Sequence, residues 1–360
     1  MPPKSNNLSH RKENQIEVRL ANKDDVIRIN NFYNRIYNKN RTEEQFNWEF
    51  NSSPAGKALY VIAEFDSQIV GTQCAIPYYF INNRNETVLS AKSEDTLIDP
   101  EFRGMAIFDK MYFLLFMESR KIGIEFIWGF TYAKKPFSKL GFEIPFQSSM
   151  GLIVIRPLKA FIYYSKISKN NSYSRKLKIL LLCFKSKMDQ LLQLFRSTDS
   201  NSIGLKFIPL CSSEINYLDH KKLIGLKLDQ DFFNYRLHNN PYTKNNYQLN
   251  IHEDNELKSS IIYTVNDNLC YILHMYSISD VHCINLIRSL IKHWTVKNCI
   301  TIRYWGFRNN QVSINEISNL KKSGFTFLRN GISFVGLSLT EKKIDWQSIL
   351  ISRLASQGTG

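Results

Sequence analysis

The ten residues Asp99–Phe108 (Asp-Pro-Glu-Phe-Arg-Gly-Met-Ala-Ile-Phe) have types and a spacing that can hold a phosphate group. They follow an apolar run typical of a strand and precede an apolar run typical of a helix. Gly104 and Ala106 keep large side chains out of the turn, so that successive backbone N–H groups can point at one spot. The N-terminus of the following helix adds the positive end of its dipole. The turn therefore predicts a binding site for a pyrophosphate.

These residues resemble the acyl-CoA-binding motif of the GNAT N-acyltransferase superfamily, Gln/Arg-x-x-Gly-x-Gly/Ala. Gly104 and Ala106 take the fourth and sixth positions, and Glu101 departs from the basic or amide residue of the first. The resemblance implies that acyl-CoA, most simply acetyl-CoA, binds as a co-substrate. It implies that the backbone of Leu97 and Ile98 pairs with the pantetheine arm. The residues implied to wrap the pyrophosphate are Arg103, Gly104, Met105, Ala106, Ile107 and Phe108.

Acyl transfer from a thioester to an amine needs a group that takes a proton from the amine, and a proton donor helps the thiolate to leave. Glu94 and Asp95 lie on the strand before the turn, where alternation should send them to opposite faces and one of them towards the acceptor as a base. The family often has a tyrosine as the acid at the position of Phe137, so that Tyr132 is the nearest replacement. The catalytic candidates are therefore Glu94, Asp95 and Tyr132. The alternative is that these residues have no catalytic role. One carboxylate would then be a surface charge, the other would pair with Lys92 or another neighbour, and Tyr132 would be an ordinary half-buried tyrosine.

Periodicity predicts the elements that position this turn. Strands are expected at 16–20, 59–63, 69–76, 87–98 and 124–130 and from Phe142 onwards, and helices are expected from Asp24, over 107–121 and over 134–140 with Gly141 as the C-cap. This order matches the GNAT fold, and the resemblance covers residues 16–155.

Four landmarks of the first half recur in the same order in the second half, which predicts an internal duplication. The pairs are Phe46–Pro54 with Phe233–Pro241, Tyr60 with Tyr247, Trp128–Phe130 with Trp305–Phe307, and Lys139–Phe142 with Lys322–Phe325. The second half has no glycine at Ser277–His282, where the phosphate turn should fall. We therefore expect an α+β fold with mixed sheets, built from two GNAT-like units in tandem, of which the second is degenerate and lacks the usual CoA pocket.

Five segments are expected along the chain. They are a polar leader at 1–15, an acyl-CoA-binding GNAT domain at 16–156, a basic helical linker at 157–202, a GNAT-like domain at 203–345 and a tail at 346–360. The linker contains a basic amphipathic helix, interpreted as a connector packed across both domains. The alternative interpretation is a peripheral contact with a membrane or a partner through 175–195.

Composition excludes several classes of protein. The chain has 360 residues, 43% of them hydrophobic, and therefore is globular with room for two domains. The leader lacks an apolar signal core, and no run reaches the roughly 18 apolar residues of a membrane span, so that a cytoplasmic protein is expected. Six scattered cysteines and seven scattered histidines predict reduced thiols and no metal site. The net charge of +15 is attributed to a composition rich in Lys, Asn and Ile, and no specific nucleic-acid partner is expected.

Three hypotheses about function follow. The first is an acyl-CoA-dependent N-acyltransferase, most simply an N-acetyltransferase acting on a primary amine. The segment Trp48–Pro54 resembles GNAT proteins of bacterial surface-polysaccharide assembly, which suggests a small-molecule or glycan acceptor such as an amino sugar. The second is an aminoacyl-tRNA-dependent ligase of the Fem type, which is also a tandem GNAT fold but typically lacks this turn. The third is a non-catalytic, CoA-binding scaffold at a membrane. The acyl chain length and the oligomeric state are left open.

Overall fold

The computed structural model describes residues 15–82, 84–167, 172–195, 205–209, 223–242, 246–297, 299–328 and 331–356. Its strands are β1 (Glu17–Leu20), β2 (Leu59–Phe65), β3 (Gln68–Ile81), β4 (Thr87–Ile98), β5 (Phe126–Thr131), β6 (Ser148–Val154), β7 (Leu205–Pro209), β8 (Ile224–Leu226), β9 (Asn246–Glu253), β10 (Glu256–Asn266), β11 (Leu269–Ser277), β12 (Thr301–Phe307), β13 (Thr326–Leu328), β14 (Ser333–Ser338) and β15 (Ile349–Leu350). The predicted leader, the end of the linker and the end of the tail lie largely outside the described residues.

The helices are α1 (Asp25–Tyr37), α2 (Glu43–Asn51), α3 (Ile107–Lys121), α4 (Lys134–Lys139), α5 (Pro157–Ile167), α6 (Tyr173–Phe195), α7 (Gln230–Phe233), α8 (Asp280–Val296) and α9 (Gln311–Lys322). A π-helical turn (Asn234–His238) follows α7, and short 3₁₀ turns lie at Pro100–Phe102, Trp346–Ser348 and Arg353–Ala355. Most predicted elements of the first half are confirmed, and α3 has the predicted bounds.

The prediction of a strand from Phe142 is wrong. Residues 142–147 make only isolated bridges, at Glu143 and Gln147, and the strand begins at Ser148. Phe142 is instead drawn into the core beneath α3, where its ring lies 5.8 Å from that of Tyr112. The chain needs these extra residues to leave the first sheet and reach the second.

Two mixed sheets organise the molecule. The first has the order β1-β2-β3-β4-β5-β14, with β8 pairing to the far end of β3 and β15 pairing to β8. The second has the order β13-β6-β12-β11-β10-β9-β7. Each sheet has a parallel pair among its inner strands, β4 with β5 and β11 with β12, and one long helix connects the two strands of each pair. The first sheet also has β8 and β15 in parallel. This repetition confirms the predicted α+β tandem fold.

The halves of the chain exchange a strand. β6, from the first half, inserts between β12 and β13 of the second sheet. β14, from the second half, pairs with β5 along its whole length from Ser333–Thr131 to Ser338–Phe126. Aromatic side chains join the sheets behind the exchange, as where Phe130 meets Trp305 edge-on at 4.9 Å between ring centres. The domain borders at 156 and 203 remain predictions, but each sheet depends on both halves.

The linker forms the helical pair α5 and α6. Cys183 of α6 is buried with Leu152 and Val154 of β6, so that α6 packs on the second sheet. The Val154 amide donates to the Ser186 hydroxyl oxygen at 3.0 Å. Within the described part of the chain, no helix combines the length and apolar character that crossing a bilayer requires.

Candidate functional site

The central strands of the first sheet separate halfway along their length. β4 and β5 pair in parallel from Ser90–Phe126 to Ser93–Gly129. Beyond that point β4 continues beside β3, and β5 continues beside β14. Gly129 permits the close approach at the fork, because a Cβ there would lie 3.1 Å from the carbonyl oxygen of Ser93. The edge of β4 after Ser93 therefore faces an open cleft.

A β-bulge lies on β4 at the mouth of this cleft. The register with β3 shifts between Thr72 and Cys74, and Asp95 has a left-handed backbone with φ 52°. Glu94 and Asp95 both line the cleft cavity. The prediction that Glu94 and Asp95 point to opposite faces of the strand is therefore wrong, because the bulge interrupts the two-residue period of β4.

The predicted phosphate turn follows β4 directly. The Asp99 carboxylate accepts the Glu101 amide at 3.1 Å and so fixes the start of the turn. Gly104 (φ 85°) and Ala106 (φ 51°) are both left-handed, and α3 begins at the next residue. The amides of its first turn have no carbonyl partner within the helix. A Cβ on Gly104 would meet nothing within 4 Å, so this face of the turn is open.

One cavity of about 1500 Å³ joins the turn, the free edge of β4 and the carboxylates. Its wall includes all the predicted donor-site positions except Met105, together with Glu94, Asp95 and Tyr132. Lys135 and Lys139 of α4 also line it. Because α4 packs against the start of α3, with the rings of Phe137 and Phe108 5.5 Å apart, these lysines and Arg103 give the turn's end of the cavity a positive character.

The opposite end is built around Arg41, which the sequence analysis missed. Its guanidinium pairs with Asp95 at 3.1 Å and with Glu49 of α2 at 3.3 Å. The hydroxyl groups of Tyr60 and Tyr242 donate to Asp95 and Glu49 respectively. Burial raises the pKa of the Asp95 and Glu49 carboxyls, while Arg41 and the two hydroxyls act in the opposite direction. Asp95 is thus fully engaged in structure.

Glu94 has a freer position than Asp95. About a third of its side chain (34%) is exposed, and its carboxylate pairs at 2.5 Å with the ammonium of Lys92, which is 1% exposed. Burial lowers the pKa of Lys92, and Glu94 counteracts that shift. Of the two carboxylates, Glu94 is the more exposed, so it can reach a bound molecule while its Oε2 keeps the ion pair with Lys92.

Phe137 stands where the family often has its acid. Its ring packs among those of Phe108, Tyr112 and Phe142, at 5.5, 5.7 and 5.2 Å between centres. The Tyr112 hydroxyl contacts the Ser93 hydroxyl at 2.6 Å, and burial raises its pKa. Tyr132, the predicted replacement, lies at the cavity mouth with 76% of its surface exposed.

The corresponding place in the second sheet is filled and acidic. β11 and β12 pair only from Leu269–Thr301 to Tyr271–Arg303 within the described strands. Beyond this fork the Tyr304 hydroxyl donates to Glu316 at 2.9 Å, and Asp280 lies in the first turn of α8. The cavity here is about 180 Å³. The Ser279 side chain already accepts an amide of this helix start, whereas no side chain caps the start of α3.

Arg41 and Glu49 lie eight residues apart, before and within α2, whereas Tyr242 lies 193 residues beyond Glu49. A single arginine or glutamate in a helical stretch carries no local signal of a shared site. Only Glu49, within the repeated segment Phe46–Pro54, lay in a motif that was singled out. Among the described residues, no group of three or more His, Cys, Asp or Glu is arranged to hold a metal ion.

No family model and no curated protein matches the sequence. The structure is similar to that of a conserved protein of unknown function from Enterococcus faecalis V583, described as a probable N-acyltransferase (TM-score 0.60, 11% identity, covering 90% of this chain and 73% of that one). It is also similar to a GCN5-related N-acetyltransferase from Anabaena variabilis (0.59, 11%, 90% and 73%) and to Saccharomyces cerevisiae N-myristoyltransferase with bound myristoyl-CoA (0.52, 12%, 90% and 79%). The chain has a tandem GNAT fold. The resemblance inferred from Glu101, Gly104 and Ala106 is confirmed at the level of the fold.

Proposed function

We propose that this protein is an acyl-CoA-dependent N-acyltransferase, most simply an N-acetyltransferase. The observation that carries the proposal is the continuity of one cavity. The fork between β4 and β5 and the left-handed turn at Gly104 and Ala106 open into the same space. A free strand edge suits an extended amide-containing arm, and a helix start suits a pyrophosphate. CoA carries both groups in the matching order.

The donor site uses mainly backbone groups. The edge of Leu97 and Ile98 that faces away from β3 is available to the pantetheine arm. The amides from Arg103 to Phe108 serve the pyrophosphate, with the cations of Arg103, Lys135 and Lys139 nearby. Electrostatic attraction between these groups and the phosphates supplies affinity, whereas the strand edge supplies orientation.

The acceptor is proposed to be a primary amine. Three carboxylates, of Glu49, Glu94 and Asp95, pair at this end of the site with two cations, Arg41 and Lys92, so the acidic side chains of this network outnumber their basic partners. A protonated amine is attracted there, and Glu94 or a water beside it takes the proton. The neutral nitrogen then attacks the thioester carbonyl and the C–N bond forms. As the C–S bond breaks, the nitrogen gives its second proton to water, which leaves a neutral amide. The departing thiolate takes a proton from solvent, because Phe137 cannot provide one.

An amino sugar is the acceptor class that we favour. The carboxylates can receive its ammonium and hydroxyl groups, and the rings of Tyr37 and Tyr242 on the cavity wall can pack against the sugar ring. Acetyl-CoA is the simplest acyl donor, and we propose that the cavity accepts its two-carbon acyl chain. The cytoplasmic location stays a prediction.

Calorimetric titration with acetyl-CoA tests the proposal. We expect micromolar binding by the native chain and a loss of at least tenfold in Gly104→Glu, which places a carboxylate in the phosphate turn. Gly123→Glu is the matched control, because Gly123 (φ 81°) also adjoins α3 and a Cβ there also meets nothing within 4 Å. It should be strained to the same degree and keep its affinity. An absence of binding by the folded native chain would contradict the proposal and favour the Fem-type hypothesis.

Turnover is tested separately by the release of free CoA thiol. Glucosamine should support release, whereas N-acetylglucosamine, whose nitrogen is already acylated, should not. Binding of acetyl-CoA without thiol release from any amino sugar, peptide or polyamine would favour the non-catalytic scaffold.

A further inference from the structure

Helix α6 has a well-defined inner face. Cys183, Ser186 and Gln190 are buried, and Asp189 accepts a hydrogen bond from the Thr326 hydroxyl at 2.8 Å. Gly324 approaches the helix so closely that a Cβ on it would lie 2.9 Å from the Cα of Gln190. The rotation of α6 about its own axis is therefore fixed by the second sheet.

The outer face of α6 is a second apolar stripe. Its exposed members are Tyr173, Leu177, Leu181, Phe184, Met188, Leu191 and Leu192. At about 100° per residue their spacing keeps them on one side of the helix, opposite to Cys183 and Ser186. Leu181 is 61% exposed and Phe184 is 49% exposed, so this stripe is not an extension of the core. Leu158 and Ile162 add exposed apolar surface on the adjoining α5.

Lysines border the stripe on both sides. By the same angular count Lys178 and Lys185 lie along one border and Lys176 lies along the other, where the ammonium of the neighbouring Lys187 donates to Gln190 at 2.8 Å. With Arg175, the sequence of α6 carries five cationic side chains, and Asp189 is its single acidic one. Long lysine side chains at such borders can place their ammonium groups at the level of lipid headgroups while their methylenes cover apolar surface.

We propose that α6 lies flat on an anionic lipid surface, with its outer stripe between the acyl chains and its lysines among the phosphates. The helix has the composition of an interfacial segment, namely an apolar stripe within a strongly basic polar surface. A second copy of the chain fits less well, since a symmetric contact would bring the same cationic borders together. The proposal is independent of acyl transfer, because α6 packs on the second sheet and not on the cavity of the first.

Sedimentation with vesicles tests the proposal on the full chain. The native protein should bind vesicles of phosphatidylcholine with 30 mol% phosphatidylserine. This proportion, about one lipid in three, is chosen to resemble an anionic leaflet. Vesicles of pure phosphatidylcholine should bind it at least tenfold more weakly, and high salt should release it from the anionic ones. Leu181→Asn with Phe184→Asn should reduce binding at least tenfold, and Lys178→Gln with Lys185→Gln should reduce it severalfold.

The controls separate lipid binding from misfolding and from self-association. Phe113→Asn and Val281→Asn remove equally exposed apolar side chains, 67% and 66%, from other helices and should leave sedimentation unchanged. All variants should keep the native unfolding midpoint in urea. Binding to neither vesicle would overturn the proposal. Equal binding to both kinds of vesicle would also overturn it. A third contrary result would be a native dimer that binds no vesicles and that Leu181→Asn with Phe184→Asn dissociates.

Discussion

At the scale of single residues, Glu94 and Asp95 are neighbours with different surroundings. The bulge gives Asp95 a left-handed backbone and places it against Arg41 and Tyr60, which leaves Glu94 at the open side of the cavity. Sequence alternation could not reveal this difference, because it assumes a regular strand. The base role therefore suits Glu94 and the structural role suits Asp95.

We expect Glu94→Gln to lower kcat for a primary amine about 100-fold, the lower limit for loss of a general base, with acetyl-CoA affinity unchanged. Asp95→Asn should lower the free energy of unfolding by about 3 kcal/mol, because the buried Arg41 loses a charge partner, and should lower kcat less than Glu94→Gln does. Steady-state rates and urea unfolding of both variants check this. Full activity in Glu94→Gln would show that another group takes the proton.

Glu316 should make stability depend on pH. Burial raises its pKa to about 7 from 4.5, so the folded state keeps the proton over a range in which the unfolded state loses it. The contribution of Glu316 to the free energy of unfolding is fully present below pH 4.5. It decreases as the pH rises to 7 and does not change further above that pH. We expect a decrease of about 2 kcal/mol across this range, less than the full linkage value because the carboxyl is not wholly shielded.

Glu316→Gln removes this titration while its amide oxygen can still accept from Tyr304. Urea unfolding at pH 5 and pH 7.5 should give a smaller difference for the variant than for the native chain. Equal pH dependence in the two proteins would show that other groups cause it.

At the scale of elements, the sequence pattern predicted helix bounds and turns but not which strands pair. The run from Ile107 to Lys121 has an apolar face and ends before Gly123, and the observed helix has these bounds. The turn at Gly104 was visible because its glycine and small residues are contiguous. The partners of Ser148–Val154 and Ser333–Ser338 were not visible, since an apolar strand can pair with either sheet and the choice depends on distant side chains.

Strand β14 shows how that choice is stabilised. Gly336 lies under Trp346, whose indole N–H donates to Glu143 at 2.8 Å. A Cβ on Gly336 would lie 2.6 Å from this indole. We therefore expect Gly336→Ala to lower the free energy of unfolding by about 1 to 3 kcal/mol through overpacking.

Gly225→Ala is the matched control for this strand. Gly225 also belongs to the first sheet, on β8, but a Cβ there would make an ordinary contact of 3.7 Å with the carbonyl oxygen of Leu350. Its cost in urea unfolding should be below about 1 kcal/mol, typical of a change without overlap. If Gly336→Ala cost no more than this control, the close packing of Trp346 on β14 would not contribute to stability.

At the scale of the whole molecule, the exchange of β6 and β14 ties the two sheets into one folding unit. Unfolding the first sheet removes the partner of β14, and unfolding the second removes both partners of β6. Tandem domains connected only by a linker would unfold independently. Here the free edge left by a missing strand would expose unpaired backbone groups in the remaining sheet.

We therefore expect a single cooperative unfolding transition, reported equally by probes in either core. Trp128 lies in the first sheet's core, and Trp294 packs beside Tyr247 and Tyr263 of the second. Two variants each keep one of these tryptophans and carry phenylalanine at every other tryptophan position. In each variant, the urea midpoint from tryptophan fluorescence should coincide with the midpoint from circular dichroism. Val61→Ala, which removes buried methyl groups from the core of the first sheet, should move both midpoints together. A Trp294 midpoint unmoved by that substitution would show that the halves unfold separately despite the exchanged strands.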